Sequence, residues 1–351
     1  MDLDDVKSFD AIDHSHMIDE IRGLPAQLEI AWQTGMAGSF TKPDGLRAVL
    51  ISGMGGSAIG ADLLSAYVQD QCPVPVVVQR DYGLPAWAKG QEVLVIASSH
   101  SGNTEETLSA FDEALARQCR VLALSTGGTL MERAVRQKVP VWKFEHEGQP
   151  RAAVGYSFGL LLAAMYRAGL VADPEAEIKA TVALMETYQK MLEPAVPIVQ
   201  NPAKRLAGQL VGRLALTVGS GLLVPVARRW KGQLNELAKS FGSFDALPEV
   251  DHNTVAGVLN PEKGLSQLMA LFLRYPSEHP RNKKRSQITQ KLFMEEGINT
   301  DSYMAQGESP MEQMWSAITF GDYLAYYLAM AYEVDPTPIE VISRLKAAMQ
   351  G

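Results

Sequence analysis

Val93-Leu-Val-Ile-Ala-Ser-Ser-His-Ser-Gly-Asn-Thr-Glu-Glu-Thr107 decides the fold. An apolar run of strand length stops at a cluster of hydroxyls, and a helical pattern follows at once through Leu108, Phe111 and Leu115. Ser98, Ser99, Ser101 and Thr104 bring four O–H groups into seven residues. Gly102 permits a tight turn, and Asn103 or Thr104 is placed to begin the helix. A strand ending at a helix N-terminus presents free backbone N–H groups and the positive end of the helix dipole. With several hydroxyls added, such a pocket suits a phosphate monoester. A plain solvated turn needs one capping hydroxyl; four exceed that requirement.

The composition narrows the class. At 351 residues the chain is long enough for two well-filled domains. Its formal net charge of −8 argues against a broad nucleic-acid surface. The one basic run, Arg281-Asn-Lys-Lys-Arg285, reads as a solvated helix start. Cys72 and Cys119 form no metal or redox spacing, which predicts a reducing, cytoplasmic setting. The first thirty residues carry acids and His14-Ser-His16 where a secretory signal would be basic and then apolar. Apolar stretches stop short of membrane-spanning length.

Outward from the decisive stretch, strands and helices alternate. Helical spacing runs from about Ser15 to Ala37. A strand at Ala48–Ser52 enters Gly53-Met-Gly-Gly-Ser-Ala-Ile-Gly60 and a helix; another strand follows at Val74–Val78. Beyond the hydroxyl loop come a strand at Arg120–Leu124, a turn at Ser125-Thr-Gly-Gly-Thr129, a helix and a short proline-marked edge strand at Val139–Phe144. Gly155–Ala168 is dense enough to be a buried helix, and Ile178–Leu192 is a further one. Then Arg213-Leu-Ala-Leu-Thr-Val-Gly-Ser-Gly221 repeats the strand-then-glycine pattern, with a helix through Trp230 and Leu237. Strands at Leu268–Leu273 and Ile298–Tyr303, and helices near Ser286–Glu296, Met311–Tyr332 and Pro338–Met349, complete the second block. The alternation predicts an α/β protein of two related domains, each a mainly parallel sheet flanked by helices, an α-β-α sandwich. The boundary falls at 1–152 and 153–351.

Gly53-Met-Gly-Gly-Ser-Ala58 also fits the loose dinucleotide pattern, with Asp81 after the next strand. A hydroxyl-rich loop has no part in dinucleotide binding, whereas two such loops at strand ends suit a small phosphorylated ligand. Ser57 is then a candidate ligand, and Gly55 and Gly56 allow its close approach.

These two loops resemble the sugar isomerase (SIS) domain. More narrowly the chain resembles the bifunctional phosphoglucose/phosphomannose isomerase family, through Arg151 before Ala-Ala-Val-Gly-Tyr-Ser157, Gln233-Leu-Asn-Glu-Leu-Ala-Lys239, Asp251-His-Asn-Thr254, Asp335-Pro-Thr-Pro-Ile-Glu340 and Leu345-Lys346. The resemblance implies Ser57, Ser99, Ser101 and Thr104 as phosphate ligands and Glu236 as the base moving a proton between C1 and C2. It implies His252 as the ring-opening group, contributed across a homodimer interface, and Arg151 as the cation facing a cis-enediolate. It places Lys346 near the sugar and Thr337 in the pocket region. No metal or cofactor is required. His100 stands where the family commonly has tyrosine, and Asp251-His-Asn-Thr-Val255 replaces a common Asn-His-Asn-Glu-Ile. Both departures bear on substrate preference more than on reaction type. The rivals are an isomerase of another phosphosugar, a non-catalytic sugar-phosphate sensor and a nicotinamide dehydrogenase. A sensor has no need of Glu236, His252 and Arg151 together.

Overall fold

The computed structural model describes residues 2–349. In chain order the elements are α1 (Met17–Arg22), α2 (Leu24–Ala37), β1 (Ala48–Ser52), α3 (Gly55–Val68), β2 (Val76–Gln79), β3 (Val93–Ser98), α4 (Glu105–Ala116), β4 (Arg120–Ser125), α5 (Gly128–Arg136), β5 (Val141–Lys143) and α6 (Val154–Arg167). They continue with α7 (Glu175–Leu192), α8 (Pro202–Leu210), β6 (Leu214–Ser220), α9 (Val224–Glu236), β7 (Gly242–Leu247), α10 (Glu262–Leu265), β8 (Leu268–Arg274), α11 (Pro280–Glu295), β9 (Asn299–Met304), α12 (Pro310–Ala331) and α13 (Glu340–Met349). Two units result. One is Gly23–Leu184 with Ser309–Glu312; the other is Met185–Glu308 with the chain up to Arg22 and from Gln313 onward.

The first unit is built on a five-stranded sheet in the order β2-β1-β3-β4-β5, with every pairing parallel. β1 and β3 are buried along their whole length, as continuous apolar runs in a sheet covered on both faces should be. α4 serves two core clusters. Ala110 and Ala114 pack with Leu50, Val93 and Val95, while Phe111 packs with Ala97, Ala123, Leu130 and Ala134. Burial of a side chain such as Phe111 stabilises by about 1.5–3 kcal/mol. β5 lies at the sheet edge, where the proline before it predicted it would. α6 is buried through Met165, and its glycines let it approach α2 closely. A Cβ on Gly155 or Gly159 would come within 2.6 Å of the Cβ of Gln27 or Ala31.

The second unit holds a four-stranded parallel sheet in the order β7-β6-β8-β9. Val218, Val250, Phe272, Phe293 and Ile298 belong to its core. Several features depart from the expected elements; α8 and α10 fall in stretches where no element was expected. The helix expected over Ser15–Ala37 is two helices: Pro25, at the start of α2, has no N–H with which to continue the ladder from α1. The Asp13 carboxylate accepts from the backbone of Met17 and Ile18 at 2.7 and 3.1 Å and so caps α1. β7, unforeseen in Gly-Ser-Phe-Asp-Ala-Leu247, is an edge strand whose four central residues are only half-buried, so it carries no apolar run.

Candidate active site

The hydroxyl loop is held rigid by its neighbour. Thr104 is the residue that precedes α4, and its hydroxyl shares a hydrogen bond of 2.9 Å with Ser99 Oγ. Ser99 Oγ also accepts from the Gly102 N–H at 3.1 Å, and Ser101 Oγ accepts from the Asn103 N–H at 3.2 Å. Gly102 has φ +69°, and a Cβ there would lie 1.8 Å from the Gly127 carbonyl oxygen. Only glycine fits. From the turn after β4, Thr126 donates its N–H and its Oγ1 to the His100 carbonyl at 3.1 and 2.7 Å. Leu130 N–H donates to the Gly102 carbonyl at 2.8 Å, and Thr129 N–H to Asn103 Oδ1 at 3.1 Å. This buttress was read in the sequence only as a turn. Its glycine and hydroxyl content was the available signal.

The second loop lies beside the first: a Cβ on Gly53 would lie 2.9 Å from the Ser98 carbonyl oxygen. Ser57 is buried in the first turn of α3, with its carbonyl accepting from Ser157 Oγ at 3.2 Å. Gly56 touches the turn that bears Arg151, since its Cβ would stand 2.1 Å from the Pro150 carbonyl oxygen. Gln27 Nε2 donates to the Ala152 carbonyl at 2.9 Å from the other side. Arg151 is buried, and its Nη1 lies 3.4 Å from Gln149 Oε1. The first unit therefore assembles Gly55, Gly56, Ser57, Ser99, Ser101, Thr104 and Arg151 around two helix N-termini and one cation. Behind the loops, Gly56, Ser57, Ser98 and His100 line a cavity of about 10 Å³, room for one water molecule.

His100 Nε2 lies 2.8 Å from His146 Nδ1, and its ring meets Phe144 edge-on at 5.8 Å. Phe144 in turn stacks on Tyr156 at 5.2 Å. A second histidine, His146, thus lies beside the loop at the position of this departure. Nothing in the sequence pattern marked it.

Glu236, His252 and Lys346 belong to the second unit. Glu236 is the last residue of α9 and half-buried. Arg229, Gln233 and Glu236 follow one another at helical spacing. Arg229 donates from Nε and Nη2 to the Asp322 carboxylate of α12 at 3.1 and 2.5 Å, and Gln233 Nε2 donates to it at 2.9 Å. Burial pushes the Asp322 carboxyl up, against the opposing pull of Arg229 and Gln233. Trp230 Nε1 donates to the Ala317 carbonyl at 2.8 Å, an approach allowed by Gly321. α9 is thereby fixed in register along α12. Lys239, at φ +51°, donates to the carbonyls of Glu236, Leu237 and Asp335 at 3.0, 3.3 and 2.6 Å, and so ties the helix end to the loop bearing Thr337.

His252 ends a 3-10 turn, Glu249–His252, and is exposed. Asp251 anchors it to α11 by accepting from Arg285 at 2.9 Å and from Thr289 at 2.6 Å. Thr254 bonds Asp245 of β7 on the other side. Lys346 is exposed on α13, a helix with no buried residue among those described. No cluster of three or more His, Cys, Asp or Glu placed to hold a metal ion occurs among the described residues.

The comparison with known proteins turns on the whole chain. It is 39% identical over 332 residues to the bifunctional phosphoglucose/phosphomannose isomerase of Caldicellulosiruptor bescii, covering 94% of this chain and 98% of that protein. The chain belongs to the bifunctional phosphoglucose/phosphomannose isomerase family. The family's protein from Aquifex aeolicus is 30% identical over 305 residues, 87% of this chain and 91% of its own length. Residues 199–349 match the bacterial phospho-glucose isomerase C-terminal SIS domain. In fold, the chain is similar to a glucose-6-phosphate isomerase like protein of Thermus thermophilus, with a TM-score of 0.66 and 19% identity over 97% of this chain and 99% of that one. The second parallel sheet lies within the residues that match that domain.

Proposed function

We propose that this chain interconverts fructose 6-phosphate with glucose 6-phosphate and mannose 6-phosphate, an isomerisation between ketose and aldose. The observation that carries it is the 39% identity, over nearly the full length of both chains, to an enzyme named for both activities.

The chemistry assigns each candidate residue a part. Ser57, Ser99, Ser101 and Thr104, with the backbone N–H groups at the starts of α3 and α4, take the phosphate; the bonded, buttressed loop supports this, because its donors need no reordering. Glu236 carries the proton between C1 and C2 through a cis-enediolate, and the pinning of α9 to Asp322 supports a fixed carboxylate. Arg151, a buried cation, stabilises the negative charge of that intermediate. His252 opens the sugar ring from the partner subunit of a homodimer, and Lys346 lies near the sugar. Two features support the dimer: His252 is held out to solvent between two anchors, and α13 exposes Val341, Leu345 and Met349 by 62–74%.

No helix among the described residues is long and apolar enough to cross a membrane. Both cysteines are free thiols, which supports a reducing compartment, the cytoplasm. The test is turnover of fructose 6-phosphate by the purified protein with glucose 6-phosphate and mannose 6-phosphate resolved as products. Formation of both supports the reading. Tight binding without turnover would make the chain a sensor.

A further inference from the structure

The backbone turn after β1 recurs at the end of β6, and the segment after β3 has a counterpart in register after β8. β1 leads into Gly53-Met-Gly55, and β6 closes on Gly219-Ser220 and leads into Gly221. Met54 has φ −127° and ψ 159°; Ser220 has φ −130° and ψ 149°. The glycines that follow are both left-handed, at φ +51° for Gly55 and +45° for Gly221. The neighbouring strands correspond too. Ser52 pairs with Ala97 in the first sheet and Val218 with Phe272 in the second. Counting on from those pairs sets Ser99 against Arg274 and Thr104 against His279. Thr104 and His279 are, in turn, the residues that precede α4 and α11. The stretch from the paired strand residue to the start of the helix is therefore equally long in both sheets.

Every candidate phosphate hydroxyl is replaced. Leu223 stands for Ser57, Arg274 for Ser99, Pro276 for Ser101 and His279 for Thr104. The counterpart of the exposed Asn103 is Glu278, and it turns inward, with a side chain only 1% exposed. Its Oε1 accepts from Ser220 Oγ at 2.8 Å, and its Oε2 from Arg274 Nε at 2.7 Å. Ser220 and Arg274 are themselves 1% and 7% exposed. A buried carboxylate persists only where such donors satisfy it. This one joins the end of β6 to the loop after β8, across the cleft equivalent to the one between the loops after β1 and β3.

We propose that Glu278 is an internal anion: its carboxylate fills the second sheet's loop cleft, which is a latent phosphate site with Arg274 as its cation. The unaltered chain then binds phosphate once, in the first sheet. That count rests on the proposed role of the first-sheet loops; the gain on removing Glu278 does not.

The experiment is calorimetric titration of inorganic phosphate into the full-length protein. Wild type is expected to take one equivalent per chain, Glu278→Ala two, and Glu278→Ala with Arg274→Met one again. Glu278→Gln, which keeps the side-chain volume and an acceptor for Ser220, is expected to stay at one. Two equivalents in wild type, or no gain in a folded Glu278→Ala, overturns the proposal. Should Glu278→Ala unfold in phosphate-free buffer, inorganic phosphate is expected to restore its cooperative melt where sodium chloride of equal ionic strength does not. Failure to restore it overturns the proposal. No equivalent in wild type with one in Glu278→Ala would remove the first-sheet reading and leave the latent site standing.

Discussion

Gly56→Ala tests whether the turn bearing Arg151 is set by its contact with α3. The added Cβ would lie 2.1 Å from the Pro150 carbonyl oxygen, 2.7 Å from the carbonyl carbon and 3.3 Å from the Arg151 amide nitrogen. Ordinary contact starts near 3.4 Å, so the turn must retreat by about 1.3 Å. All three atoms are backbone, and no side-chain rotation relieves them. Overpacking of this kind costs about 1–3 kcal/mol, which lowers Tm by about 2–4 °C per kcal/mol in a domain of 150–250 residues. Displacing a positioned group by an ångström costs about 10²-fold in rate. Gly60→Ala is the control. Its Cβ would meet Ser157 Oγ at 2.2 Å, one turn further along α3 and away from Arg151. Calorimetry and a coupled assay of glucose 6-phosphate formation should show similar stability losses in both variants. Only Gly56→Ala should lose kcat by about 10²-fold. Equal kcat in the two variants would refute the argument.

Asp322→Asn removes the charge of the buried carboxylate that Arg229 and Gln233 both bond and should cost about 3–5 kcal/mol in chemical denaturation. Because the pair pins the helix bearing Glu236, kcat should fall in folded protein while phosphosugar affinity holds. On the proposed sharing of sites across a homodimer, mixed His252→Ala and Glu236→Gln subunits should regain activity, since each heterodimer would then hold one intact site. Equal mixing and free exchange predict about a quarter of wild-type activity in a two-fold symmetric dimer; no recovery under confirmed exchange counts against sharing. Asp4, held below its ordinary range chiefly by its hydrogen bond to Lys204, gives stability that is present above its unfolded pKa and lost as pH falls through the lower folded value. Asp4→Asn should flatten that acid-side loss in melts taken below about pH 4.

Much of the fold was legible because the central strands are buried on both faces. Val93–Ser98 and Ala48–Ser52 read as unbroken apolar runs for that reason. β7 was not legible, since an edge strand with Ser243 and Asp245 has little apolar pattern to show. The hydroxyl loop announced itself by composition, and Gly102 by its place within it. The buttress from Ser125–Thr129 did not, because contacts between neighbouring loops of a sheet follow strand order, which periodicity does not reveal. Glu236 illustrates the same limit. Its sequence looks like an ordinary helix face with Lys239 nearby, yet the lysine clamps carbonyls at the helix end and Asp322, 86 positions on, fixes the helix. His146 was unmarked because only the third dimension brings it to His100.

The most direct test of the central claim is isotope exchange. Fructose 6-phosphate incubated with enzyme in deuterium oxide, followed by NMR at C1 of the remaining ketose and at C2 of the aldose products, reports proton transfer through an enediolate. Wild type should incorporate solvent deuterium. Glu236→Gln should incorporate none over the same turnover window, while still binding the phosphosugar. Undiminished incorporation in Glu236→Gln would contradict Glu236 as the base.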